Sequence, residues 1–114
     1  MMLELKLRRG DLVTASSKKD KIRPFLVIQS EQFDTPISIV MMPITSTITP
    51  KPLLRVSIQP SDKNKLKEQS EIMIDKIMTV DRKQIKEVFG HIEEDVLSKV
   101  DERLAVYLGL RPFS

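Results

Sequence analysis

The sequence contains no cysteine and no tryptophan, one histidine, one tyrosine and only three glycines. Without cysteine there is no disulfide framework, no thiolate nucleophile and no thiolate ligand for zinc. The glycines, Gly10, Gly90 and Gly109, stand too far apart to build a phosphate-cradling loop. The lone His91 offers no metal-ligand spacing, and no Ser-His-Asp arrangement can be argued from it without geometry. It follows a glycine at an element boundary, where a structural or surface histidine is the ordinary expectation. No apolar run approaches the roughly 20 residues a membrane helix needs. The first residues, MMLELKLRRG, interrupt their apolar positions with Glu4 and Lys6 and show no small-residue cleavage site. A secretory leader is therefore not expected, and the cytoplasm is the expected compartment.

What is present suits one domain, residues 1–114, with one modest core: 114 residues, 40% hydrophobic and 31% charged. The net charge of +3 permits an anionic partner. Its distribution is more informative. Arg8 and Arg9 are adjacent, Lys18, Lys19 and Lys21 crowd one loop, and Lys63, Lys65 and Lys67 crowd another. The third group reads as solvated loop lysines. The second lies beside Arg23 and is the better candidate for a patch that binds a nucleic-acid backbone.

There is no internal repeat, low-complexity tract or linker. RRGDLVTA (8–15) predicts a strand opened by Gly10, and RPFLVIQS (23–30) a buried strand whose first residue is held extended by the proline after it. ISIVMMPITS (37–46) is a second long apolar run, and LLRVSI (53–58) alternates as a half-exposed strand. A polar connection, 59–69, leads to an alternating strand, SEIMIDKIM (70–78). TVDRKQ (79–84) predicts a turn and IKEVFGHI (85–92) a last short strand. In the final segment Val96, Val100, Leu104 and Tyr107 or Leu108 share one helical face. Glu93, Glu94 and Asp95 favour that helix's positive N-terminus, and Gly109 can close it. The expected fold is mainly β, five or six short strands in a small, strongly bent antiparallel sheet or barrel, covered by a C-terminal helix.

Three polar residues stand at the edges of apolar strands. Arg23 precedes one core run, Thr45 with Ser46 terminates the next, and Asp75 interrupts the alternation of a third. Singly, each has an ordinary explanation: a surface ion pair worth about 0–1 kcal/mol, a strand-end hydroxyl, an exposed strand position.

Together, and in order, RRGDLVTA, IRPFLVIQSEQFD, VMMPITS, IDKIMTVD and VDERLAVYLGL resemble the MazF/PemK/Kid toxins of bacterial toxin–antitoxin pairs. The resemblance is collinear over about residues 8–110. It implies an SH3-like small barrel with a C-terminal helix, usually a homodimer. It also implies a metal-independent endoribonuclease, with no cofactor, that cuts single-stranded RNA by attack of a ribose 2′-hydroxyl on the adjacent phosphate. A cognate MazE/PemI-like antitoxin would neutralise it, and the basic 18–21 loop would attract an acidic antitoxin tail. The resemblance makes Arg23, Thr45 and Asp75 the catalytic candidates. A phosphate under attack gathers negative charge, which a preorganised arginine fork can grip at two oxygens. The Thr45 hydroxyl can donate to the same phosphate. Asp75 is the candidate base for the 2′-hydroxyl, a task that burial or a partner would have to favour. Lys18, Lys19, Lys21 and Ser46 are the candidate RNA-binding residues.

The chain departs from the family pattern in three places. Its first loop, SSKKDKIRP, lacks the G-x-E-Q-x-G-x-R-P pattern. Met73 and Met78 stand where relatives often carry arginine. The identity of the acid and base stays open at this level, and the loop lysines are candidates to compensate on the phosphate side. A CcdB-like toxin that poisons gyrase without cutting RNA would share the barrel, but such toxins use an aromatic C-terminal tail, and this chain ends LGLRPFS without tryptophan. An inactive relative that only binds antitoxin is the third alternative.

Overall fold

The computed structural model describes residues 6–16, 21–49 and 53–112. Seven strands precede one helix among these residues: β1 (Asp11–Ser16), β2 (Ile22–Val27), β3 (Ser38–Thr45), β4 (Arg55–Ile58), β5 (Ser70–Met73), β6 (Met78–Asp81), β7 (Ile85–His91) and α1 (Glu94–Tyr107). All pairings are antiparallel, in the order β4-β5-β3-β2-β1-β7, with β6 also on β3. β3 is the spine. One of its edges takes β2 at Met41–Pro43. The other is divided between β6, along Ser38–Met41, and β5, at Ile44 and Thr45. β5 and β6 follow one another along that edge, interrupted by the residues between Met73 and Met78. Mainly β with a C-terminal helix is the fold class expected from the sequence.

The long apolar runs follow from burial on both faces. Successive strand residues point to opposite sides. Leu12, Leu26, Met42, Ile44, Val56, Ile58, Ile72 and Ile74 form the core that α1 covers through Val100, with Val96, Leu97 and Leu104 packed at its margin. Val13, Ala15, Phe25, Val27, Ile39, Met41, Val80 and Ile85 form a second core on the opposite side. Each of these side chains larger than alanine contributes about 1.5–3 kcal/mol by leaving water.

The expected strand 70–78 is shorter in the fold. β5 stops at Met73, and Ile74–Lys76 form a 3-10 turn held by Ile74 N–H to the Leu54 carbonyl at 2.9 Å. The segment read as a turn, 79–84, instead begins within β6, and only Arg82–Gln84 turns. Period-two alternation places Ile72 and Ile74 in one core in either geometry, so the pattern could not distinguish them. Arg82 is almost fully buried, its Nε donating to the Thr35 carbonyl at 2.8 Å and its guanidinium paired with Asp34. α1 ends as expected with Gly109 at φ +76°, where a side chain would be strained. Tyr107 and Leu108 are exposed, so the helix's buried face ends at Leu104. Among the described residues, no helix is long and apolar enough to cross a membrane.

Candidate active-site cleft

β2 enters the sheet through Arg23 and Pro24, which pair with Ala15 and Thr14 of β1. The strand behind them is buried from Phe25 onward, while Arg23 stays exposed at its mouth. The backbone of Arg23 is thus anchored by the sheet and its guanidinium faces water. Among the described residues it has no carboxylate partner, so the ordinary surface ion pair is not formed there.

β3 ends beside it. Thr45 Oγ1 accepts a hydrogen bond from the Thr47 N–H at 3.1 Å, closing a hydroxyl turn. A hydroxyl that accepts in this way still has its own proton to donate. The turn is fixed from below by Glu71, the buried β5 residue paired with Thr45. Its Oε1 accepts the Thr49 N–H at 3.2 Å.

Ile22, Arg23 and Pro24 from β2, and Ile44 to Thr47 from the end of β3, line one side of a cleft of about 310 Å³. Leu66, Lys67, Glu68 and Ser70 line the other. The fold therefore brings together Arg23, Thr45 and Ser46 of the residues singled out in the sequence. Lys18 and Lys19 lie outside the described residues. Lys21 is exposed two residues before Arg23 and does not line the cleft.

Asp75 is placed elsewhere. The 3-10 turn that carries it packs against α1 and β4. There its Oδ1 stands 3.3 Å from Arg55 Nε, with side chains 14% and 8% exposed. The two atoms are close enough for an ion pair but not aligned as a hydrogen bond. Asp75 does not line the Arg23–Thr45 cleft. Its separation follows from the early end of β5: the 3-10 turn Ile74–Lys76 interrupts the pairing with β3 before the chain resumes it as β6 at Met78.

Lys67 and Glu68, which the sequence pattern reads as part of a solvated polar connection, do line the cleft. The structure fixes that loop through Asn64. It is fully buried in that loop and satisfies its polar atoms at every side. Its Oδ1 accepts from the Ser61 and Leu66 N–H groups at 3.0 and 2.9 Å, and its Nδ2 donates to the Gln59 carbonyl at 2.8 Å and to Glu93 Oε1 at 3.2 Å. Glu93 also accepts from the Ser61 hydroxyl. Burial pushes the Glu93 carboxyl up, but hydrogen bonds from Ser61, Asn64 and its own backbone, with the charge of Lys63, outweigh it and hold the group below its ordinary value. Gly90 of β7 lies directly under the loop; a Cβ there would stand 2.6 Å from the Asn64 carbonyl oxygen. The connection is thus a fitted arm that holds Lys67 and Glu68 over the cleft.

His91 and Asp11 are structural partners. Asp11 is buried, accepts the Arg8 N–H at 2.8 Å and stands 2.8 Å from His91 Nδ1. A second hollow of about 280 Å³ lies between Leu53, Leu54 and the end of α1 at Val106 and Tyr107, and none of the candidate catalytic or RNA-binding residues lines it.

The family model of the PemK-like, MazF-like toxins of type II toxin–antitoxin systems matches residues 8–108. The chain belongs to this family. It is 37% identical over 107 residues to a probable endoribonuclease MazF of Mycolicibacterium smegmatis, covering 91% of this chain and 98% of that protein. The fold agrees with that of a MazF crystal structure from Deinococcus radiodurans, with TM-score 0.77, 23% identity, and 93% and 99% of the two chains covered. It agrees equally with a mycobacterial endoribonuclease solved in complex with its cognate antitoxin, with TM-score 0.75, 20% identity, and 96% and 98% covered. The MazF-like fold thus covers 93–96% of this chain in these matches, and the residues of the Arg23–Thr45 cleft lie within the family match over 8–108.

Proposed function

We propose that this MazF-like toxin is an endoribonuclease that cuts single-stranded RNA without a metal ion, and that Arg23 and Thr45 hold the scissile phosphate. The observation that carries this reading is one cleft lined by an open guanidinium and by a hydroxyl whose proton is free to donate. The ribose 2′-oxygen attacks the neighbouring phosphorus, the P–O5′ bond breaks, and a cyclic phosphate and a 5′-hydroxyl remain. Charge that builds on the phosphoryl oxygens meets the Arg23 fork and the Thr45 hydroxyl. Ser46 and Lys67 supply further donors along the strand, and the exposed Lys21 adds positive charge two residues before Arg23. The relative's name as a probable endoribonuclease supports the same activity.

The test is the initial cleavage rate on a short single-stranded RNA in chelator, with circular dichroism as a folding control. Arg23→Ala should stay folded and lose about 10²-fold or more, the scale of losing one preorganised donor. Arg23→Lys should recover little, because an ammonium cannot make the fork contact. An Arg23→Ala protein that cuts at the wild-type rate removes the reading.

The partner of this toxin is an acidic, partly disordered antitoxin segment laid over the same groove. The structural neighbour solved with its antitoxin supports a partner of this kind. Bound antitoxin segment should displace RNA. Simultaneous binding of both without loss of affinity would contradict a shared groove. The working form is a two-fold homodimer in the cytoplasm, where RNA is available; apolar side chains left exposed, such as Phe33, Ile37 and Leu110, support association.

A further inference from the structure

We propose that Glu68 is the general base of this cleft, the role that the family resemblance implies for Asp75. The inference rests on the ribonuclease reading above and deepens it. Three observations carry it. Glu68 is the only carboxylate among the described residues that line the cleft with Arg23 and Thr45. Its carboxylate has, among the described residues, no hydrogen-bond or ion-pair partner to be displaced before it can act, and although it is exposed in the free protein, RNA laid across the cleft would supply the burial that a carboxylate base requires. Asp75, by contrast, is spent on Arg55, largely buried and on the face toward α1.

An exposed loop glutamate is ordinarily a solvated charge. What sets Glu68 apart is the anchoring of its backbone on both sides. Four residues before it, Asn64 is locked by its contacts with Gln59, Ser61, Leu66 and Glu93. Behind it, the Ser70 hydroxyl donates to the Glu68 carbonyl at 2.9 Å. A base must be held within hydrogen-bond reach of its proton, and only the side-chain torsions of Glu68 remain to be ordered by substrate. In the step assigned to it, Glu68 takes the proton from the ribose 2′-hydroxyl as the 2′-oxygen–phosphorus bond forms. The P–O5′ bond breaks, the leaving 5′-oxygen takes a proton from water, and Glu68 returns its proton to solvent. No water is consumed and nothing is oxidised.

The experiment compares wild type, Glu68→Gln, Glu68→Asp, Asp75→Asn and Arg23→Ala in single-turnover cleavage of a mixed-sequence single-stranded RNA. Binding is measured separately on the all-2′-deoxy strand of the same sequence, which cannot be cut. Glu68→Gln is expected to lose about 10²-fold or more in rate, the usual share of a positioned base, and to bind the uncut strand within about 3-fold of wild type. Glu68→Asp should recover part of the rate. Replacing the 5′-bridging oxygen by sulfur, which leaves without needing a proton, should not rescue Glu68→Gln. Rescue by sulfur would overturn the base role in favour of an acid. A Glu68→Gln rate within about 3-fold of wild type, with Arg23→Ala disabled, would overturn the assignment while leaving the ribonuclease reading intact. A wild-type protein that leaves the whole pool uncut would overturn that reading, and the assignment with it.

Discussion

Thr45 holds a hydrogen bond and can still offer one. Its Oγ1 accepts the Thr47 N–H, which orients the side chain, while the hydroxyl proton stays unassigned within the turn. Thr45→Val keeps the shape and removes the donor. It should lower RNA cleavage about 10-fold, less than Arg23→Ala, because a neutral hydrogen bond stabilises developing charge less than a guanidinium fork does. Steady-state rates on the same RNA measure this. The opposite pattern is expected at Asp75. With its side chain only 14% exposed beside Arg55, removing the carboxylate leaves a buried cation without its partner. Asp75→Asn should cost about 1–3 kcal/mol in stability and leave cleavage close to normal. Urea denaturation beside a cleavage assay separates the two effects, and a folded, stable Asp75→Asn protein that no longer cuts would return the base role to Asp75.

The 59–69 arm decides what faces Arg23 across the cleft. Two contacts set it. Gly90 lets the Asn64 backbone lie against β7, where a methyl group would come within 2.6 Å of a carbonyl oxygen and 2.9 Å of its carbon. Both are backbone atoms and cannot rotate away. Gly90→Ala should therefore destabilise the fold by about 1–3 kcal/mol and speed hydrogen exchange in the arm. Cleavage should fall as Lys67 and Glu68 move off the cleft. The second contact is Glu93, which joins the arm to the start of α1 through Ser61 and Asn64. Its carboxyl is held below the ordinary value of 4.5, so its folded form binds protons less readily than the unfolded chain does. Such a group stabilises the fold above 4.5 and loses that contribution as pH falls through its lower folded value. Wild type should melt above Glu93→Gln at neutral pH, and the difference should shrink as the pH is lowered below 4.5.

At the scale of the whole molecule, two cores share one sheet. Residues of β1, β2 and β3 point alternately into the core under α1 and into the core on the other face. The Arg9 pair with Asp101 ties the start of β1 to the helix, and the Arg9 Nη1 bond to the Ile28 carbonyl at 3.1 Å ties it to the end of β2. This arrangement satisfies the interior but leaves apolar side chains outside it. Phe33 and Ile37 flank the turn before β3, and Tyr107, Leu108 and Leu110 crowd the end of α1. A second copy is the expected cover for such surface. Light scattering at micromolar concentration should give the mass of a dimer, and a monomer would contradict it.

Period-two alternation, long β-branched runs and a helical stripe closed by glycine were sufficient to determine a small β fold with a terminal helix. These are local signals, set by which side of the backbone each residue occupies. The ordered motifs around Arg23 and Thr45 likewise placed both residues at strand ends, where a polar side chain can stand beside a core and still reach water. The end of β5 was not legible. Ile72 and Ile74 face the same core whether the chain stays extended or turns, so alternation carried no information about the turn that takes Asp75 to Arg55. Nor was the opposite wall of the cleft. KNKLKEQ is polar except for Leu66, and its composition describes a solvated loop equally well. Only tertiary contact, with Asn64 buried against a residue that has no side chain and hydrogen-bonded to the first turn of a distant helix, carries Lys67 and Glu68 to Arg23. Pattern within a segment fixes which face is buried, whereas a cleft is made by segments far apart in the chain, and their meeting depends on hydrogen bonds and close approaches that no local pattern records.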